Sequence, residues 1–342
     1  MAARVPIHAT QVVGEDPPWL GAADHMDAHV AVQRRSDVVQ LHCHGDADGG
    51  GLVAATRRTD GLLGDAHGGH RWILGTGIQS AQPEQAIRLS NSTWFPLFAA
   101  LTIAVLLGGF ITSQYWLSIL MLLPLIGLFL RWLWTVNGRE TPLEIEVAPG
   151  LRLPTQALAH NAPGWWALVG TLMIVGSLFA SLVFAYFYLW LNAPAWPGGG
   201  ATLTASTPML AALGALLAAG VGAWRMPIAL RAGHTRAAVI WSAFAILSAI
   251  ACLALQLPAI AEAVGAPQRH AYGSVVWTLA GFQALHLAVA VLIAGFVALR
   301  IHHGHVDAVR SLEARIATGF WRYVVAQGLI VWALLHLFPR FA

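Results

Sequence analysis

The sequence predicts an all-α integral membrane protein with seven transmembrane helices, arranged as a two-helix hairpin plus a five-helix bundle. Three observations predict it. Apolar residues make up 57% of the 342 positions and charged residues 10%, where a soluble domain carries about 25% charged residues. Such a chain cannot cover itself with polar groups in water. Seven apolar runs follow one another from Trp94 onward, each near the ~20 residues that cross a bilayer core. Arginine-rich and arginine-poor connections then alternate along the chain.

The runs lie at Trp94–Ile111, Tyr115–Trp134, Gly164–Leu191, Thr207–Arg225, Ala237–Leu257, Gly273–Leu299 and Gly319–Phe338. Only Thr112, Ser113 and Gln114 join the first two, so they form a tight antiparallel hairpin. A long polar connection, 135–163, carries Glu140, Glu144 and Glu146 and separates the hairpin from the other five. Pro124 sits inside the second run, where it should kink the helix. Gly214, Ala218 and Gly222 recur every four residues and favour close packing of two helices.

Charge sets the orientation. Connections 135–163, 225–237 and 300–318 hold Arg139, Arg152, Arg225, Arg231, Arg236, Arg300, Arg310 and Arg315; the alternate connections hold only Arg269. Cytoplasmic loops are the cationic ones, which puts the N-terminus in the cytoplasm and the C-terminus in the periplasm of a bacterial inner membrane. Trp94, Trp132, Trp134, Trp165, Trp166, Trp190, Trp196, Trp224 and Trp321 mark the headgroup level, which suits a ring with one polar N–H.

The head reads differently. Residues 1–70 form a polar segment, residues 71–93 a joint, and residues 94–342 the membrane domain. Seven of the fifteen histidines fall in the head, beside the glycine run 49–51. Apolar periodicity is weak, so the head is expected to be largely disordered. Its first twenty residues hold Glu15, Asp16 and three prolines and are not expected to act as a signal peptide. The net charge of +3 comes from scattered arginines, with no lysine, and makes no nucleic-acid footprint. Cys43 and Cys252 lie in different regions and imply no disulfide framework.

Few groups could carry chemistry. Gln283 and His286 are three apart on one helix face. They either line the bundle interior, with His286 bonding another helix or a lipid headgroup, or simply join two helices. Ser177 and Ser181 can bond back to their own helix. Arg300, at the end of the sixth run, either pairs with a lipid phosphate or snorkels. His302, His303 and His305 follow it as a solvated loop without acidic or thiol partners. His42, Cys43 and His44 in the head are a weak copper or zinc candidate, needing His25, His29, His67 or His70 to complete a site. Residues 93–342 show no pattern for haem or a copper pair.

Tyr272-Gly273-Ser274, then Gly281-Phe282, a polar residue at 283 and Leu285-His286 resemble one helix of the cytochrome c oxidase subunit III family. Asn161-Ala162-Pro163-Gly164-Trp165-Trp166, Leu178-Phe179-Ala180 and Tyr186-Phe187-Tyr188-Leu189 resemble its third helix. Trp321 with Tyr323 is similar to its seventh. Arg71-Trp72-Ile73-Leu74-Gly75-Thr76, Gln82-Pro83-Glu84 and Trp94-Phe95-Pro96 resemble the joint in fused subunit I+III chains of haem-copper oxidases. The likeness covers residues 71–342, and the two-plus-five grouping matches the family's split bundle.

The resemblance implies no redox metal in this chain, with haem and copper in the partner subunit. It implies packing beside catalytic subunit I and subunit II, structural phospholipid held between hairpin and bundle, and support of proton uptake during oxygen reduction. Lipid- or helix-contact roles fall to Gln283, His286, Arg300, Trp165 and Trp166. The chain departs from the family pattern in four places. Val175 stands for a buried Glu, Gln283 for a His, Arg322 for a His and Val325 for an Asp, which removes groups a proton relay would use. The first seventy residues resemble no subunit I ending and are read as foreign sequence from a truncated or frame-shifted fused gene. The rival reading is a membrane transporter or metal-handling protein with a His-rich head, though no inverted repeat is visible. An assembly factor borrowing the fold is a further alternative.

Overall fold

The computed structural model describes residues 3–5, 29–35, 38–44, 72–76, 83–88, 93–135, 142–148, 151–155, 162–198 and 200–341. The chain is mostly helical. Seven α-helices lie among the described residues: α1 Phe95–Ile111, α2 Tyr115–Thr135, α3 Pro163–Asn192, α4 Ser206–Arg231, α5 Thr235–Val264, α6 Ala271–His302 and α7 Leu312–Trp332. A π turn, Ala333–Leu337, and a 3-10 turn, Phe338–Arg340, extend α7. Six of the seven are long and apolar enough to cross a membrane. The exception is α1, whose 17 residues rise about 25 Å against a hydrocarbon core of about 30 Å.

The chain divides into two compact units, Met1–Ala157 and Leu158–Ala342. In the first, Gln114 N–H donates to Gly109 O at 2.7 Å, and Ser118 Oγ donates to Leu106 O at 2.8 Å. A Cβ at Gly109 would stand 2.6 Å from Ser118 Oγ, so glycine is required where α2 folds back on α1. Ser113 takes φ 60° in the link. The helix α2 continues through Pro124.

Short strands accompany this helix pair, a departure from the all-α expectation. Strands β1 (Ala3–Val5), β2 (His29–Arg35) and β3 (Val38–His44) form an antiparallel sheet in that order. Strand β4 (Trp72–Thr76) pairs with β5 (Pro83–Arg88), and β6 (Glu144–Ala148) with β7 (Leu151–Pro154). Ile145 stands opposite Leu153, and both are buried. Alternation along the strand puts buried Ile145 and exposed Glu144 on opposite faces. The other residues of the expected disordered head lie outside the described ones.

The second unit holds α3 to α7. Its outer surface is as apolar as its interior: Met173, Phe184, Ile240 and Leu247 are all exposed. A helix apolar all round is suited to lipid. Small residues set the tightest contact, where α5 buries Ala238, Ser242, Ala245, Ala249 and Cys252. A Cβ on Gly222 would meet Ala245 N and Trp241 O, both at 2.9 Å, whereas Gly214 faces open space. Of the two glycines in the expected small-residue stripe, Gly222 makes a close helix approach and Gly214 does not.

Two boundaries differ from the sequence reading. The seventh helix starts at Leu312, not Gly319, because the charges that interrupt the apolar run are accommodated: Glu313 meets Arg300, and the Arg315 guanidinium lies over the Trp165 ring. The connection expected at 225–237 contracts to 232–234, leaving Arg225 in α4, with its guanidinium over Trp241, and Arg236 in α5. Trp321, expected at an interface, is buried in the bundle core.

Candidate functional site

Polar residues gather along the α6–α7 contact. On α6, Gln283 is 1% exposed and His286 7%. Gln283 Nε2 donates to Val324 O at 3.5 Å, a marginal bond, while its Oε1 is buried without a partner. The close approach depends on Gly328, where a Cβ would stand 2.5 Å from Gln283 Nε2 and 2.7 Å from Leu216 Cδ2. One residue earlier, Gln327 is 2% exposed, and neither atom of its amide finds a partner. A carboxamide deprived of hydrogen bonds in an apolar interior costs about 1–3 kcal/mol.

His286 does not bond another helix through Nδ1. That nitrogen lies 2.8 Å from Phe282 O, one turn back on the same helix. The ring is held among aromatic neighbours, with centroids 4.3 Å from Phe282, 5.9 Å from Tyr323 and 6.3 Å from Phe320. The Tyr323 hydroxyl is buried without a partner. Gln283 and His286 thus share a face, as their spacing predicts, and α7 supplies Tyr323 and Gln327 beside them. Gln327 was not among the residues expected to form the site, although a Gln within an apolar run is itself the signal for a buried polar group.

Arg300 is wholly buried at the end of α6. Its Nε stands 2.8 Å from Glu313 Oε2. The two groups form an ion pair that joins α6 to α7. The guanidinium also lies over the Phe296 ring, 5.7 Å from its centroid. Arg300 is therefore an internal cation that meets an acid of its own chain. Trp165 and Trp166 divide their roles: Trp165 packs beneath Arg315 and near Gly319, while Trp166 is 63% exposed on the apolar outer face.

A second polar knot, unseen in the sequence, closes the opposite end of α7. His336 is buried, and its Nδ1 lies 2.9 Å from Thr204 Oγ1 and 3.0 Å from Arg340 Nη1. Since arginine only donates, Nδ1 is the acceptor there. Arg340 also donates to His336 O, to Thr204 O at 2.7 Å and to Ser206 Oγ at 3.1 Å. Tyr186 on α3 donates to Leu334 O at 2.7 Å and accepts from Trp196 Nε1 at 3.2 Å. The π turn widens the helix where these groups converge.

The resemblance-bearing residues of different helices meet one another. Phe179 of α3 stacks on Phe282 of α6 at 6.0 Å. Trp196 lies edge-on to both Tyr186 and Tyr272, at 5.1 and 4.7 Å. Val175 and Val325 carry no titratable group. Among the described residues, no three His, Cys, Asp or Glu side chains are grouped to hold a metal ion. His302 and His303 lie edge-to-face at 5.4 Å on the exposed end of α6. The side chains of His42, Cys43 and His44 lie outside the described residues, as do His25, His67 and His70.

No protein-family model matches the chain, and no curated protein matches it.

Proposed function

We propose that this chain is a non-redox, subunit III-like component of a cytochrome c oxidase. It packs beside the catalytic subunit I and subunit II, which carry haem and copper, and it holds phospholipid against its apolar faces. In this reading α1 is also a span, giving seven crossings of a bacterial inner membrane, with the N-terminus cytoplasmic and the C-terminus periplasmic. Its contribution to oxygen reduction and proton uptake is structural. Gln283 and Gln327 can orient a neighbour by hydrogen bonding, but neither carboxamide can carry a proton as a titrating relay.

The observation that carries the reading is the convergence of the family-like residues. Phe179, Phe282, His286 and Tyr323, from three separate stretches of sequence, form one chain of ring contacts, and Tyr186 and Tyr272, which both meet Trp196, share a core cluster with Phe179. Their order along the chain is that of the subunit III family. The test is affinity purification of the full chain from its native membranes in mild detergent, followed by haem spectroscopy and peptide identification. Recovery with a haem-bearing catalytic subunit is expected. Recovery of the chain alone, or of a chain holding zinc or copper in its head, overturns the reading in favour of a metal-handling membrane protein.

A further inference from the structure

The polar knot at the end of α7 holds only while one imidazole is neutral. His336 is buried, and its Nδ1 faces two donors, Thr204 Oγ1 at 2.9 Å and Arg340 Nη1 at 3.0 Å. A neutral ring offers an acceptor nitrogen; an imidazolium offers none, because both nitrogens then carry N–H. The two contacts respond differently to that change. The Thr204 hydroxyl can reverse and accept, but the guanidinium has no lone pair to offer. Protonation therefore sets N–H against N–H, and one positive charge against another, 3.0 Å apart. Turning the ring over does not help, since the other nitrogen also carries a proton.

The groups alongside do not relieve the conflict. From α3 comes the Tyr186 hydroxyl, which serves Leu334 O and Trp196. From α6 comes Tyr272, which meets Trp196. Both are phenols, which stay neutral in the acid range. The start of α4 brings Thr204 and Ser206, which carry no charge. Glu262 lies exposed in the last turn of α5. No carboxylate among the described residues pairs with His336 or Arg340; residue 342 lies outside the described ones.

The same knot anchors the end of the chain. Arg340 ties the 3-10 turn Phe338–Arg340 to Thr204 O and Ser206 Oγ. That turn carries Phe338, whose ring lies 5.1 Å from Trp190, 5.3 Å from Phe187 and 5.9 Å from Tyr186, all on α3. Displacing the guanidinium loosens the turn from α4 and leaves its hold on α3 to ring packing alone.

We propose that Phe338–Arg340 is an acid-released clasp, closed on the start of α4 while His336 is neutral and opened when that imidazole takes up a proton. The closed form binds one proton fewer than the open one, so falling pH favours opening. Histidine changes charge on the acid side of neutrality, which sets the range in which the clasp works. The device needs only this chain and does not depend on its being an oxidase subunit.

A second imidazole at this end has to be separated from it. His270 Nδ1 accepts from Gly273 N–H at 2.8 Å as the N-cap of α6, and its ring stacks on Tyr272 with centroids 6.1 Å apart. It too loses its acceptor when protonated.

The test is hydrogen exchange read by mass spectrometry on the full chain in detergent, at about pH 7.5 and about pH 5. Exchange in peptides covering 333–341 is referenced to the same peptides free in solution, which removes the intrinsic effect of pH. Protection there should fall by about tenfold or more on acidification, while peptides from the middle of α5 keep theirs. His336→Asn places a carboxamide oxygen near the position of Nδ1 and takes up no proton, so its protection should be equal at both pH values. Arg340→Met removes the second charge; its protection should be lower than wild type at neutral pH and should not fall further in acid. His270→Asn should leave the fall in place. The proposal is overturned by a wild-type tail with no fall, by a fall shared with the middle of α5, by one that persists in His336→Asn or Arg340→Met, or by one that disappears in His270→Asn.

Discussion

Arg300 and Glu313 join the last turn of α6 to the first turn of α7, Nε to Oε2 at 2.8 Å, with the arginine enclosed and a third of the glutamate side chain exposed. Each sits at the helix end its charge suits: the cation at a C-terminus and the anion at an N-terminus. The intervening connection is tied to the same place, because His305 N–H donates to Arg300 O at 2.8 Å. Asp307 Oδ1 accepts from Val309 N–H and Arg310 N–H at 2.9 and 2.7 Å.

Glu313→Gln is expected to destabilise the bundle. It leaves the Arg300 charge enclosed beside a neutral amide, and the exposed part of the site tempers the loss to about 2 kcal/mol. Thermal unfolding in detergent should show a lower midpoint, with a smaller drop for Arg300→Met, which removes the enclosed charge itself.

Gly222→Ala should cost more than Gly328→Ala, and Gly214→Ala should cost almost nothing. The Gly222 methyl would press on the backbone of α5, which cannot move without shifting the helix. The Gly328 methyl would press on two side chains, Gln283 and Leu216, at a cost of about 1–3 kcal/mol. Unfolding midpoints of the three variants rank the prediction.

Gln283→Leu and Gln327→Leu are expected to be neutral or stabilising by up to about 1 kcal/mol. Their amides are enclosed with most of their hydrogen-bonding capacity unmet, and apolar groups of similar size remove that burden. If these amides orient a partner, co-purification yield falls while the melting temperature holds or rises; melting and pull-down on the same preparations separate the two effects.

Tyr186→Phe removes the hydroxyl that serves both Leu334 O and Trp196 Nε1. A loss of about 1–3 kcal/mol is expected, since two buried groups are left unsatisfied. Cysteine-accessibility labelling near the end of α7 should rise in this variant and remain unchanged in Tyr188→Phe, whose ring is exposed.

Helices were legible in the sequence because long apolar runs and three-residue or Gly-containing links announce them. The start of α7 was not, because Glu313 and Arg315 look like loop residues until Arg300 and Trp165 come alongside. The strand pair Glu144–Ala148 and Leu151–Pro154 carried its own alternation, which the length of the polar connection obscured. At the candidate site, the shared face of Gln283 and His286 followed from spacing alone. The direction of His286 Nδ1 toward its own helix did not, since it depends on the rings of Phe320 and Tyr323 filling the space opposite. The His336–Arg340–Thr204 knot joins residues more than 130 positions apart, and no local pattern encodes such a meeting.

The wide turn at Ala333–Leu337 holds one more residue per turn than its surroundings. Such a turn absorbs one residue without turning the helix beyond it, so deleting one residue there would restore regular helix and leave Arg340 facing Thr204 and Ser206, whereas an added residue would rotate Arg340 by about 100°. The tail of the protein therefore tolerates loss of one residue in this stretch better than a gain, and single-codon insertions there should be selected against even where individual substitutions are accepted.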